Sequence, residues 1–136
     1  MKTEAFRIGD LARDTGTKVV TIRYYEKIGL LQNSGRSEGN YRIYGAAELN
    51  RLRFIRRCRA LGFSLDQIRE LADLAEDTER SCAEVDALTE RHLRDIQTKI
   101  ADLQALEEEL QSISSQCQGS GTISSCRIVE AISPAA

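Results

Sequence analysis

Between Cys82 and Ser114 the chain contains neither proline nor glycine. Val85, Leu88, Leu93, Ile96, Ile100, Leu103, Leu106, Leu110 and Ile113 recur there, mostly at threes and fours, with charged residues between them. This spacing predicts one amphipathic helix of about nine turns. A helix that long on so short a chain cannot bury its stripe against its own domain. A partner helix solves the problem, and a symmetric homodimer joined by a two-stranded coiled coil is the simplest arrangement.

Upstream the pattern is shorter-ranged. Phe6-Arg7-Ile8 alternates, and Gly9 to Thr15 reads as a two-turn helix broken by Gly16. Thr17 then caps a second short helix through Val20, Ile22 and Tyr25, which ends before Gly29. Two short helices about a glycine turn match a helix-turn-helix, whose second helix enters the DNA major groove. The exposed residues of that helix are expected to be Lys18, Thr21, Arg23 and Tyr24, types that contact phosphates and base edges. The pattern alone fits a plain helical hairpin with a charged solvent face equally well.

The polar, glycine-spaced run from Asn33 to Asn40 precedes Tyr41-Arg42-Ile43-Tyr44, which alternates like a strand. That predicts a hairpin wing carrying Arg36 and Arg42. An ordinary surface loop whose Tyr41 and Tyr44 pack on the core is compatible with it. A helix from Ala46 follows, with Leu49, Leu52, Phe54, Ile55 and Leu61 apolar and Arg51, Arg53, Arg56, Arg57 and Arg59 outward. Gly62 ends it. Ser64-Leu65-Asp66-Gln67 reads as a capping box that opens the next helix, with Ile68, Leu71, Leu74 and Ala75 inward. Cys58 has no cysteine or histidine three or four residues away and is read as a buried or half-buried thiol rather than a ligand.

Composition adds limits more than identity. The chain has 136 residues, 41% hydrophobic and 29% charged, a size that holds one ordinary core or a small domain with an extended arm. No run reaches the roughly eighteen apolar residues of a membrane span. The N-terminal segment lacks the apolar stretch of a signal peptide, so the expected location is the cytoplasm, with no membrane partner. Residues 1–75 carry 14 Lys and Arg against 9 Asp and Glu, whereas residues 76–136 carry 5 against 12. A basic front and an acidic rear suit a front half that meets a polyanion, although many half-domains differ as much without such a role.

The cysteines carry the remaining chemistry. In a reducing compartment four of them are thiols or metal ligands rather than a disulfide framework. Cys82 and Cys117 flank the long helix, roughly 50 Å apart in one chain, too far to share an ion. In an antiparallel dimer Cys82 of one chain lies near Cys117 of the other. Cys126 reaches the same point because the Gly-Ser loop from Gln118 to Ser125 turns the chain back before a short final helix over 126–132. Each of two equivalent sites would hold three thiolates. Such a set favours a soft ion, Hg(II), Pb(II) or Cd(II), with Zn(II) needing water or a carboxylate such as Glu84 to complete its shell. His92, the only histidine, lies too far along the helix and is read as a coil-face residue. Incidental cysteines are the alternative.

Phe6-Arg7-Ile8-Gly9-Asp10-Leu11-Ala12, then Thr21-Ile22-Arg23-Tyr24-Tyr25-Glu26-Lys27-Ile28-Gly29-Leu30-Leu31, then Asn40-Tyr41-Arg42-Ile43-Tyr44 resemble the MerR family of transcriptional regulators. Leu61-Gly62-Phe63-Ser64-Leu65-Asp66-Gln67-Ile68 continues the likeness, which spans essentially the whole chain. The resemblance implies an all-α dominated fold: a winged helix-turn-helix domain over 1–75, a long antiparallel coiled-coil dimerisation helix over 81–117, and a metal-binding loop with a short C-terminal helix over 118–136. It implies a homodimer on double-stranded promoter DNA, between the two elements that RNA polymerase reads. Such a dimer represses without inducer and activates by distorting the DNA when inducer binds. Carried over residue by residue, Lys18, Thr21, Arg23 and Tyr24 belong to the recognition helix, and Arg36, Asn40, Tyr41 and Arg42 to the wing.

Within the family, Cys82, Cys117 and Cys126 resemble the set of mercury- and lead-responsive members, with cadmium-responsive ones close. Copper, zinc and redox members fit less well: the compact two-cysteine loop, the extra cysteine and loop histidine, and the cysteine cluster are absent. Multidrug members carry a further ligand domain. No acid-base pair or nucleophile accompanies the thiols, which argues against an enzyme. A DNA-binding dimer with no ligand, or a zinc-responsive regulator, is the alternative.

Overall fold

A computed structural model describes residues 5–116 and 119–134. The chain divides into two units, Met1–Val85 and Asp86–Ala136.

The first unit begins with two short helices, α1 (Ile8–Thr15) and α2 (Val19–Lys27). Asp10 accepts from the Arg7 backbone N–H at 3.0 Å and so closes the start of α1. Gly16 ends the helix in the left-handed region, φ 67°, where a Cβ would stand 3.4 Å from the Arg56 guanidinium. Both the conformation and the crowding call for glycine at this turn. Lys18, not Thr17, occupies the N-cap of α2, and no side chain caps it. Thr17 is instead buried. Phe6, expected to open a strand-like stretch, makes one bridge to Tyr44, with backbone bonds of 2.7 and 2.8 Å. Ile8 already belongs to α1.

A two-stranded antiparallel hairpin follows, β1 (Gly35–Arg36) with β2 (Arg42–Ile43), pairing Gly35 with Ile43 and Arg36 with Arg42. Then come α3 (Ala46–Ala60) and α4 (Leu65–Glu76). The Ser64 hydroxyl accepts from Gln67 N–H at 3.1 Å, and the Gln67 carbonyl accepts from Ser64 N–H at 2.9 Å. The capping box is complete. At the start of α3 the Glu48 carboxylate accepts from Gly45 N–H at 2.8 Å and from the Ser34 hydroxyl at 3.0 Å, so the helix start is tied to the foot of the hairpin.

Leu11, Ile22, Leu30, Leu31, Tyr44, Leu52, Ile55 and Ile68 form the core, all almost fully buried. Helix α1 packs on α2 and α3, and α3 on α4. Cys58 is buried at the same level of α3, and burial pushes its thiol pKa up. Most of the arginines expected to face outward on α3 brace this unit. Arg51 donates to Leu30 O at 3.1 Å, Arg56 to Gly16 O at 3.0 Å and Arg59 to Phe63 O at 2.9 Å, while Arg53 pairs with Asp14 at 2.7 Å. Arg69 of α4 donates to Ile28 O at 2.6 Å. Loop carbonyls left over at helix ends need donors, and guanidinium groups supply them.

Helix α5 (Ala83–Ser114) is one uninterrupted run of 32 residues, roughly 48 Å long at 1.5 Å per residue. Leu88 and His92 are buried on it, whereas Leu93, Ile100, Leu103, Leu106 and Leu110 are each half or more exposed. The chain closes with a 3-10 turn at Ile123–Ser125, where a loop was expected, and α6 (Arg127–Ile132). The turn is held by Thr122 O, which accepts from both the backbone and the hydroxyl of Ser125 at 3.1 Å. Among the described residues no helix is long and apolar enough to cross a membrane. The fold is all-α dominated, with a winged helix-turn-helix and a long C-terminal helix.

Candidate nucleic-acid interface and metal centre

Helix α2 buries Ile22 and Tyr25 and presents Lys18, Val20, Arg23, Tyr24 and Lys27 to solvent, with Thr21 half-buried. Val20 was expected on the inner face. It is 72% exposed because the buried row runs through Ile22 and Tyr25, with half-buried Val19 rather than Val20 one turn before. Three-residue spacing back from Ile22 gives Val19, a signal present in the sequence. An exposed valine between Lys18 and Thr21 suits apolar contact with a thymine methyl.

The hairpin tip is a three-residue loop, Glu38, Gly39 and Asn40. Asn40 N–H donates to Ser37 O at 2.9 Å, and Ser37 N–H to Tyr41 O at 2.8 Å. Asn40 takes the left-handed position, φ 63°, the commonest such role for a non-glycine residue. Arg36 crosses the loop and donates to Asn40 O at 3.1 Å. Arg7 lies over the Tyr41 ring, 4.7 Å from its centroid. Arg7, Arg23, Arg36, Asn40, Tyr41 and Arg42 line a concavity of about 500 Å³ between wing and helix. Arg7 joins this surface only through tertiary structure, and its adjacency to Tyr41 leaves no trace in local spacing.

Glu26 joins the two elements. Its carboxylate accepts from the Tyr44 hydroxyl and pairs with Arg42 at 3.0 Å, and its side chain is only 9% exposed. Tyr44 is fully buried, and its phenol pKa is raised, first by burial and then by the bond to Glu26. Seven of the eight residues expected to read DNA therefore lie on α2 or the hairpin, with Lys18 at the N-cap of α2. The four of the hairpin also make contacts within the unit: Asn40 turns the wing, Arg36 donates to Asn40 O, Tyr41 lies under Arg7 and Arg42 pairs with Glu26.

The thiols are distributed differently. Cys82 is exposed in the turn before α5, where Ser81 Oγ accepts from Ala83 N–H at 3.2 Å. Cys126 is half-buried at the N-cap of α6 and lines a concavity of about 540 Å³ with Gly119, Gly121, Thr122, Ser125 and Arg127. Cys117 lies outside the described residues. Glu84 is paired with Arg80 at the surface. Among the described residues no three metal-ligating side chains come together.

Residues 6–75 match the MerR HTH family regulatory proteins, and residues 49–113 match the MerR, DNA binding family. The chain belongs to the MerR family. It is thus a DNA-binding transcriptional regulator and not an enzyme. The HTH-type transcriptional regulator ZntR of Escherichia coli (strain K12) is 40% identical, over 93% of this chain and 92% of that protein. The mercuric resistance operon regulatory protein of Bacillus cereus is 38% identical, over 93% and 96%. A crystal structure of a Ralstonia metallidurans CH34 transcription regulator in complex with lead(II) superposes with a TM-score of 0.81 at 42% identity, covering 94% of this chain and 99% of that one.

Proposed function

We propose that this MerR-family chain is a homodimeric, metal-responsive regulator that binds promoter DNA and activates metal-resistance genes when it takes up a soft divalent ion, Hg(II), Pb(II) or Cd(II). One observation carries the reading. A single unbroken helix of 32 residues stands between Cys82 and the Cys117–Cys126 segment, with an apolar stripe left exposed along it. One chain cannot close that gap. An antiparallel pair of α5 helices buries the stripe and brings Cys82 of one subunit to the Cys117 and Cys126 of the other. The mercuric and lead(II) relatives support a soft ion.

The donor set fits such an ion. Thiolates are soft, the half-buried Cys126 sits among small and hydroxyl-bearing residues, and the nearest described carboxylate to Cys82 along the chain, Glu84, faces Arg80. Cys82, Cys117 and Cys126 would hold the ion as thiolates, and the bound ion supplies a cross-link between subunits. The chain's own residues do the rest. Residues 1–75 read DNA, with Lys18, Thr21, Arg23 and Tyr24 in the major groove and the wing of Arg36, Asn40, Tyr41 and Arg42 beside it. Residues 81–117 pair the subunits, and residues 118–136 close the sensor. A change in how the coil ends are tied alters the spacing of the two reading heads. The promoter is then bent and untwisted so that RNA polymerase meets both of its elements.

Mixed dimers test the shared site. A Cys82→Ser chain paired with a Cys126→Ser chain keeps one complete set of three cysteines if the set spans subunits, and none if each chain builds its own. Ultraviolet thiolate-to-metal bands should titrate to one ion per mixed dimer, two per wild-type dimer and none in the Cys82→Ser homodimer. No band in the mixed dimer, alongside normal bands in the wild type, refutes the shared arrangement.

A further inference from the structure

Two elements that read DNA must be held at a fixed separation, and in this chain one carboxylate does so. Glu26 lies on the last turn of α2, facing inward, and reaches the returning strand of the wing at two points. One is Tyr44, fully buried and joined to Phe6 by two backbone bonds, a fixed anchor at the foot of the wing. The other is Arg42, whose side chain is 41% exposed beside the concavity lined by Arg7, Arg23 and Arg36. Arg23 sits one turn before Glu26 and forms no ion pair among the described residues. Of the cations around the concavity, Arg42 alone pairs with a carboxylate among the described residues.

We propose that Glu26 is a specificity-determining positioning residue: it fixes the wing against the recognition helix through Tyr44 and holds the charge of Arg42 back from indiscriminate phosphate binding. Affinity for any duplex scales with the number of phosphates neutralised, whereas affinity for a chosen site requires both reading elements in register. A residue that lowers the first and secures the second widens the ratio between them. The inference rests on the DNA-reading surface proposed above.

The test compares binding to a duplex that the wild-type protein selects from a random pool with binding to a scrambled duplex, each across a range of salt. In Glu26→Gln the amide oxygen still accepts from Tyr44, but Arg42 loses its counter-charge. Scrambled-duplex affinity should rise about threefold to tenfold, and the slope of log K against log salt should steepen by about two, one for each subunit of the dimer. Glu26→Gln/Arg42→Gln should return the slope to the wild-type value. Tyr44→Phe keeps the ion pair and the buried ring. It should weaken the selected duplex about fivefold to tenfold while leaving the scrambled duplex and both slopes unchanged. Tyr44→Phe decides the matter alone if the Glu26 variants do not fold. Wild-type slopes in Glu26→Gln, or equal losses on both duplexes in Tyr44→Phe, overturn the inference. A wild-type protein with no preference among duplexes overturns the DNA-reading surface itself.

Discussion

Replacing Leu103 by alanine removes one residue of the exposed stripe on α5 while keeping a strong helix former in place. Leu103 retains 65% of its surface in the single chain. Full burial of a leucine side chain is worth about 1.5–3 kcal/mol, so roughly two thirds of that is left to gain on pairing. Discounting the methyl that alanine keeps leaves about 1 kcal/mol per chain. Two-fold symmetry applies it twice, and about 2 kcal/mol is a change of roughly 30-fold in the dimer dissociation constant. Sedimentation equilibrium over a dilution series reads this directly, with circular dichroism to confirm unchanged helicity. Ser112 lies nine residues on, half a turn round the helix at 3.6 residues per turn, so Ser112→Ala is the control and should leave association unchanged. Equal dissociation constants for wild type and Leu103→Ala would refute pairing through this stripe. A loss of the same size in Ser112→Ala would show that the effect is not specific to one face.

Three other outcomes follow from the first unit. Gly16→Ala forces an L residue to φ 67° against the Arg56 guanidinium, and chemical denaturation should show a loss of about 1–2 kcal/mol. Ser64→Ala removes the acceptor for Gln67 N–H and should cost about 1 kcal/mol by the same measurement, with Ser64→Asp retaining most of the stability. Burial raises the Cys58 thiol pKa, so the neutral form is favoured in the folded state and the stability gained from it is lost as pH rises through the thiol range. At neutral pH exposed Cys82 should alkylate readily and Cys58 only on unfolding. Mass mapping of the labelled peptides checks this, and comparable rates at both would contradict the packing of α3.

What the sequence disclosed was local or periodic. Ser64 and Gln67 stand three apart and form the box that their types and spacing announce, and Gly16 ends α1 where a left-handed residue is needed. The stripe from Val85 to Ile113 shows as one helix because nothing in it breaks helical geometry. What stayed hidden depends on where long side chains end. A row of arginines on α3 looks like a surface for a polyanion, yet Arg51, Arg53, Arg56 and Arg59 each turn to a carbonyl or carboxylate of their own unit. The bond between Glu26 and Tyr44 joins residues 18 apart across two elements, and no periodicity marks it. The cysteine spacing named candidate ligands, but the choice among soft ions is made by coordination geometry, which sequence does not encode.

Transcription from the promoter that the protein itself selects from genomic fragments tests the central claim most directly. Reduced wild-type protein, RNA polymerase and that promoter would be titrated with Hg(II), Pb(II), Cd(II) and Zn(II) in separate series, with the Cys82→Ser, Cys117→Ser and Cys126→Ser proteins in parallel. The account predicts low transcription without metal, a rise that saturates at two ions per dimer for one of Hg(II), Pb(II) or Cd(II), and no rise in any cysteine variant that still occupies the promoter. Transcription indifferent to all four ions, or a response that survives loss of the cysteines, would contradict it.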